Sequence, residues 1–99
     1  MKKIFISQPI GGKTESQIFF ERRKAFHKIE RILGEPITLI NSIIRKFSPT
    51  DSSLWYLGRS IQKMAAADIV FFVKGWENAR GCRIEHLCAE EYGYRIIEE

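Results

Sequence analysis

Apolar residues in this chain follow two rhythms: short unbroken runs, and longer stripes that repeat about every 3.6 residues. The clearest run is Ile69-Val70-Phe71-Phe72-Val73, too short for a helix and rich in β-branched and aromatic side chains. Within Asp68–Val73 it reads as a strand buried on both faces, as in a parallel sheet. Ile4-Phe5-Ile6 inside Lys2–Ser7 has the same character. Ile37-Thr38-Leu39-Ile40 reads as a further strand, and Tyr94-Arg95-Ile96-Ile97 as a short last one.

Helical stripes separate these runs. From about Glu15 to Leu33, Ile18, Phe19, Phe26, Ile29, Ile32 and Leu33 share one face, with Arg22 intruding on it. Thr14 is placed to cap this helix, with Gln17 at the capping-box position. Gly34 and Pro36 stop it. A second helix is predicted from Asp51-Ser52-Ser53 to about Ala67. Leu54, Leu57, Ile61 and Met64 should face the core, with Trp55 and Tyr56 at the rim. Asn41 to Pro49, with Ile43, Ile44 and Phe47, is a connection, either irregular or a short turn of helix. A third helix runs from Gly81 to Tyr92 and ends at Gly93.

The order β-α-β-α-β-α-β, without repeat or linker, predicts one α/β domain over residues 1–99. Right-handed crossovers are nearly obligatory in such a chain. They give a flavodoxin-like three-layer sandwich whose small parallel sheet has the strand order 2-1-3-4. The switch point falls between strands one and three, where the Ser7–Lys13 and Lys74–Arg80 loops should lie side by side. Ligands of open α/β sheets bind at such points, beside helix N-termini.

Composition fits one small core: 99 residues, 44% hydrophobic and 12% aromatic. No apolar run approaches the ~18 residues needed to cross a bilayer. After Met1-Lys2-Lys3, the run Ile4–Ile6 is cut short by Gln8, Pro9 and two glycines, so no signal-peptide core forms. A cytoplasmic protein without membrane contact is expected. Cys82 and Cys88, six apart on one helix, point in different directions and read as reduced thiols. Cys82, His86 and Cys88 match no metal-ligand spacing, so no metal and no cofactor are expected. Cys82 and His86 are also one turn apart, as a nucleophile pair would be, but without an evident orienting carboxylate unless Glu90 serves.

The net charge of +4 is modest. Its bases, Arg22, Arg23, Lys24, Lys28 and Arg31, stand beside Glu21 and Glu30 and read as a solvated helix face, not a nucleic-acid stripe. The surplus suits an anionic small molecule such as a nucleotide.

Candidate chemistry gathers at the two loops. Glu85, close to a helix start, is either a helix-dipole or surface charge, or an ionised carboxylate able to attack a sugar's anomeric carbon. Helical phase sets it beside Gly81 and Cys82. In Ala79-Arg80-Gly81-Cys82, the glycine either fits a tight turn or lets a ligand approach free backbone N–H groups, with Arg80 adding charge. Ser7, Gln8, Pro9, Gly11 and Gly12 form either a plain strand-to-helix loop or a cradle for ribose or phosphate. Trp76 either packs under its loop or offers a stacking face to a base. The Gly-x-Gly-x-x-Gly and phosphate-loop lysine motifs are absent.

Ala67-Asp68 ahead of a hydrophobic strand, then Gly81-Cys82-Arg83-Ile84-Glu85 ahead of a helix ending at Ala89–Gly93, resembles the nucleoside 2-deoxyribosyltransferase-like superfamily. Ser7-Gln8-Pro9-Ile10-Gly11-Gly12 is similar to its opening strand and loop. Trp55-Tyr56-Leu57-Gly58, Lys74-Gly75-Trp76-Glu77 and Arg80–His86 look closest to the short phage and prophage proteins of this group. The resemblance implies a flavodoxin-like fold, often dimeric, with a nucleoside or nucleotide bound. It puts the nucleophile on Glu85, the phosphate-binding turn on Ala79–Gly81 and sugar contacts on Gln8–Gly12. The chain departs from the pattern at Ser60, where catalytic members carry an aspartate, and at Ala79 and Arg80, where transferases place another.

Two functions from different classes follow. One is an N-glycosidase or deoxyribosyltransferase acting on a nucleotide through Glu85. The other is a non-catalytic nucleotide-binding protein that sequesters a signalling nucleotide. A basic nucleic-acid accessory protein is a weaker third, which would require steeply salt-dependent binding.

Overall fold

The computed structural model describes residues 1–42 and 52–99. Four parallel strands, β1 (Lys2–Ser7), β2 (Ile37–Leu39), β3 (Ile69–Phe72) and β4 (Arg95–Glu98), form one sheet in the order β2-β1-β3-β4. Among the described residues three α-helices connect them: α1 (Glu15–Leu33), α2 (Ser53–Met64) and α3 (Arg80–Glu91). The small α/β architecture and strand order are those expected of a flavodoxin-like fold. Among the described residues no helix is long and apolar enough to cross a membrane.

Alternation along the central strands builds two cores. Ile4 and Ile6 of β1, with Ile69, Phe71 and Val73, pack against Ala25 and Ile29 of α1. On the other face Phe5, Val70 and Phe72 meet Met64 of α2 and Ala89 of α3. Side chains in a strand alternate between faces, so Ser7 emerges on the face of Phe5, toward α2 and α3. It does so at the carboxyl end of a central strand. Pairing of Ser7 with Phe72 sets the ends of β1 and β3 level there.

Local signals act as the sequence predicts at both ends of α1. Thr14 Oγ1 accepts from the Gln17 N–H, Gln17 Oε1 accepts from the Thr14 N–H, and Gly34 closes the helix at φ 67°. Arg22 breaks the apolar stripe for a tertiary reason. Its Nη2 donates to the Ile40 carbonyl at 2.7 Å and its Nη1 to Ser42 Oγ at 3.2 Å, tying α1 to the end of β2. Burial lowers the pKa of this guanidinium from its ordinary value.

Several boundaries and burials differ from expectation. Ile32 is 51% exposed, and Leu33 completes the α1 stripe in its place. Leu54, read as a core residue, is 74% exposed. α2 meets the sheet most deeply at its C-terminal end, where Met64 is buried while Leu57 and Ile61 are half-buried. The helix stops at Met64, three residues short of Ala67, where Ala66 and Ala67 turn back onto Lys63 and Met64. Tyr94 belongs to the end of α3 and not to β4, because its N–H is spent on the Ala89 carbonyl after Gly93 turns at φ 72°. A 3-10 turn, Trp76–Asn78, occupies the loop before α3. Of the connection from Asn41 to Pro49 only Asn41 and Ser42 are described, and Asp51 as the start of α2 also lies outside the described residues.

Candidate functional site

Ser7 ends β1 facing α3, and the two elements meet at Glu85. Ser7 Oγ donates to Glu85 Oε1 at 2.6 Å, and Ser60 Oγ from α2 donates to Glu85 Oε2 at 2.6 Å. Three elements thus converge on one carboxylate, which is only 6% exposed. Cys82, one turn earlier on α3, is buried beside it, near enough to Ser7 for that hydroxyl to influence the thiol. Lys13 of the first loop is near enough to influence the thiol.

Burial governs the electrostatics. Removal from water raises the Glu85 pKa above the ordinary carboxylate value, while the hydroxyls of Ser60 and Ser7 pull it back. The N-terminal charge of α3 is not the deciding influence. Glu85 is the sixth residue of the helix, and the dipole's effect fades beyond the first turn. Burial also raises the pKa of the Cys82 thiol, with the Ser7 hydroxyl opposing and the Glu85 charge reinforcing it.

The remaining candidates divide. Gly81 lies in the first turn of α3 with no positive φ, so a tight turn does not explain it. A side chain there would meet Leu57 only at ordinary contact distance, 3.8 Å. Ala79 caps α3 without a side-chain hydrogen bond, and the first helical backbone bond is Arg83 N–H to the Ala79 carbonyl. The N–H groups of Arg80, Gly81 and Cys82 therefore precede the helical ladder. Arg80 is exposed beside them.

In the first loop Gln8 turns inward. Its Nε2 donates to the Ile18 carbonyl at 3.1 Å, and its Oε1 is buried without a partner among the described residues. Pro9 packs close to Gly75, whose φ of 94° suits glycine, so the two predicted loops do lie side by side. Gly11 and Gly12 are exposed, and Gly12 turns the chain at φ 74°. Lys13 is engaged with Glu21 at 2.8 Å.

Trp76 takes the packed course of its two predicted alternatives. Its ring stacks on His86 at 4.0 Å between centroids and 6° between planes, and leans on Phe72. His86 lies between carboxylates, with Nε2 2.8 Å from Glu98 Oε2 and Nδ1 3.2 Å from Glu90 Oε1. Cys82 turns to Ser7 and His86 to these acids and Trp76, so the two form no nucleophile pair. Both cysteines are free thiols. Among the described residues no cluster of three His, Cys, Asp or Glu side chains is placed to hold a metal. An open groove of about 780 Å³ bordered by Phe19, Phe26 and Leu39 lies along α1 and touches none of the candidate residues.

Sequence reasoning missed two things here. Ser60 stood out only as a departure from the family pattern, yet it contacts the carboxylate directly. The partnership of His86 with Glu98 had no signal in the chain, because the two lie on separate elements brought together by strand pairing.

No curated protein matches this chain. Over residues 2–98 it matches the family model described as "Domain of unknown function (DUF4406)", and it belongs to that family.

Proposed function

We propose that the protein binds a nucleoside or nucleotide at the loop-lined end of the sheet, between the Ser7–Lys13 and Lys74–Arg80 loops, and cleaves its glycosidic bond with Glu85. One observation carries this: a carboxylate nine-tenths removed from water, with each oxygen oriented by a serine hydroxyl at 2.6 Å, at the carboxyl end of a central strand. A nucleophile needs a fixed direction, and each oxygen keeps a lone pair free beyond the one its serine occupies. Glu85 attacks the anomeric carbon, the bond from that carbon to the base nitrogen breaks, and the base departs with the electron pair. Water, or the base of a second nucleoside, then displaces Glu85 from the sugar. Gly81 and the free N–H groups of the first turn of α3, with Arg80 beside them, suit a phosphate. The resemblance to the nucleoside 2-deoxyribosyltransferase-like superfamily points to the same chemistry at the same residue.

Incubation with a panel of nucleosides and nucleoside monophosphates, followed by chromatography for free base, tests this. Base release by the wild type and its loss in Glu85→Gln is the expected result; unchanged substrates throughout would sink it. A non-catalytic nucleotide binder is the alternative, favoured by Ser60 standing where the resemblance leads one to expect an acid. It predicts ligand binding without turnover in both proteins.

A further inference from the structure

Glu85 is buried opposite no cation among the described residues. The groups that contact its oxygens are hydroxyls. Lys13 pairs with Glu21 and Lys28 with Glu99, while Arg22 is held by Ile40 and Ser42. Buried charges are ordinarily paired. A carboxylate that the described residues contact through neutral hydroxyl donors suits a complementary charge brought by a ligand.

The same hydroxyls limit the chemistry. They orient an anion, but neither can act as a strong acid toward a departing base. General acid catalysis is typically worth about 10²–10⁴ in rate. A base that leaves a neutral nucleoside develops negative charge and benefits from that acid. A base carrying a positive charge conjugated to its glycosidic nitrogen leaves as a neutral molecule and has no use for one.

Resting on Glu85 as the nucleophile, we infer that the site selects N-glycosides with a cationic base, pyridinium ribosides and N7-alkylated purine nucleosides being the chemical classes. A Glu85 oxygen bonds to the anomeric carbon while the carbon–nitrogen bond breaks. Its electron pair returns to the ring nitrogen and cancels the positive charge, so no proton moves. Water then attacks the glycosyl ester, the sugar leaves as a hemiacetal, Glu85 regains its charge and one proton passes to solvent. The cation supplies the charge that Glu85 lacks, and its departure needs nothing that Ser7 and Ser60 do not provide.

The test uses the full chain with nicotinamide riboside, nicotinamide mononucleotide and 7-methylguanosine, set against guanosine, adenosine and their monophosphates. Each enzymatic rate is divided by the spontaneous rate of the same compound. The expected result is an enhancement about 10²-fold or more greater for the cationic set, and enzymatic rates on the two pyridinium compounds, whose base charge is permanent, that do not fall at alkaline pH. Glu85→Gln should abolish it. Calorimetry adds a readout independent of turnover. Nicotinamide riboside should bind at least about tenfold more tightly than its uncharged reduced form, and Glu85→Gln should erase the difference. Equal enhancement of neutral nucleosides, an alkaline limb on the enzymatic rates of the pyridinium compounds, or equal binding of the two riboside forms would overturn this inference while leaving Glu85 as a nucleophile. Base release from no compound at all would overturn both.

Discussion

Glu85 and His86 are neighbours on α3, both buried, yet their surroundings are opposite in kind. His86 has carboxylates at both ring nitrogens and an indole stacked on its face. Its partners come from α3 itself, from β4 and from the loop carrying Trp76, so it braces three pieces of chain. Among the described residues, the partners of the Glu85 oxygens are hydroxyls, drawn from β1 and α2. The polar atoms of the imidazole are thus met within the chain, as those of a structural group should be. The carboxylate is oriented by hydroxyls with no cation against it among the described residues, an arrangement that suits a charge arriving from outside. One residue of helical rotation, roughly 100° about the axis, divides the two roles.

The largest effect should come from Glu85→Gln, which keeps shape and removes charge: base release falls by about 10⁴-fold, while thermal unfolding shows an intact fold. Comparable turnover in wild type and variant would erase the contrast with His86. Ser60→Ala should follow. Hydrogen bonds to charged groups are worth about 1.5–3 kcal/mol, so turnover drops by about 10- to 100-fold. The acid limb of its pH profile should also move upward, since one of the two groups pulling the Glu85 pKa back is gone. Ser60→Thr restores both if the hydroxyl is what matters. An unmoved limb in Ser60→Ala would show that Ser60 packs without positioning.

His86→Ala should act on stability instead, by about 1–3 kcal/mol from lost packing against Trp76 and Phe72. Glu90 and Glu98 are half exposed, so their ion pairs add little to this. Denaturant titration measures it; the pH dependence of base release should keep its shape. A changed shape would place His86 in the chemistry after all.

The smallest effect is a slope. Burial raises the folded-state pKa of Glu85, so the folded chain holds this proton more tightly than the unfolded one. That contribution to stability is fully present below the unfolded value near 4.5 and is lost as pH rises through the elevated folded value. Relative to Glu85→Gln, wild-type stability should therefore fall across that window. Melting temperatures that run parallel with pH in the two proteins would show that Glu85 titrates no differently when folded.

Much of this fold was legible because its signals are local. An unbroken run such as Ile69–Val73 requires burial on both faces, and Thr14, Gln17 and Gly34 mark the ends of α1 by their own backbone chemistry. Strand order followed from crossover handedness, a property of any twisted parallel sheet. Glu85 was legible as a carboxylate near a helix start below a buried strand. The depth at which each helix meets the sheet was not: Leu54 and Ile32 fit the apolar periodicity, yet only packing distance decides whether such residues find a surface to cover.

The amino-acid sequence by itself determined the α/β class, the single sheet and the end of that sheet at which the candidate residues collect. Those follow from periodicity, capping and chirality, which act over a few residues or on any chain of this pattern. Only the tertiary structure decided that Ser7 and Ser60 hold the two oxygens of Glu85, that Arg22 ties α1 to β2, and that Trp76 lies against His86. Each of these contacts joins separate elements. The 2.6 Å hydrogen bond between Ser7 and Glu85 spans 78 positions of chain, a distance over which residue spacing carries no information and sheet register carries all of it.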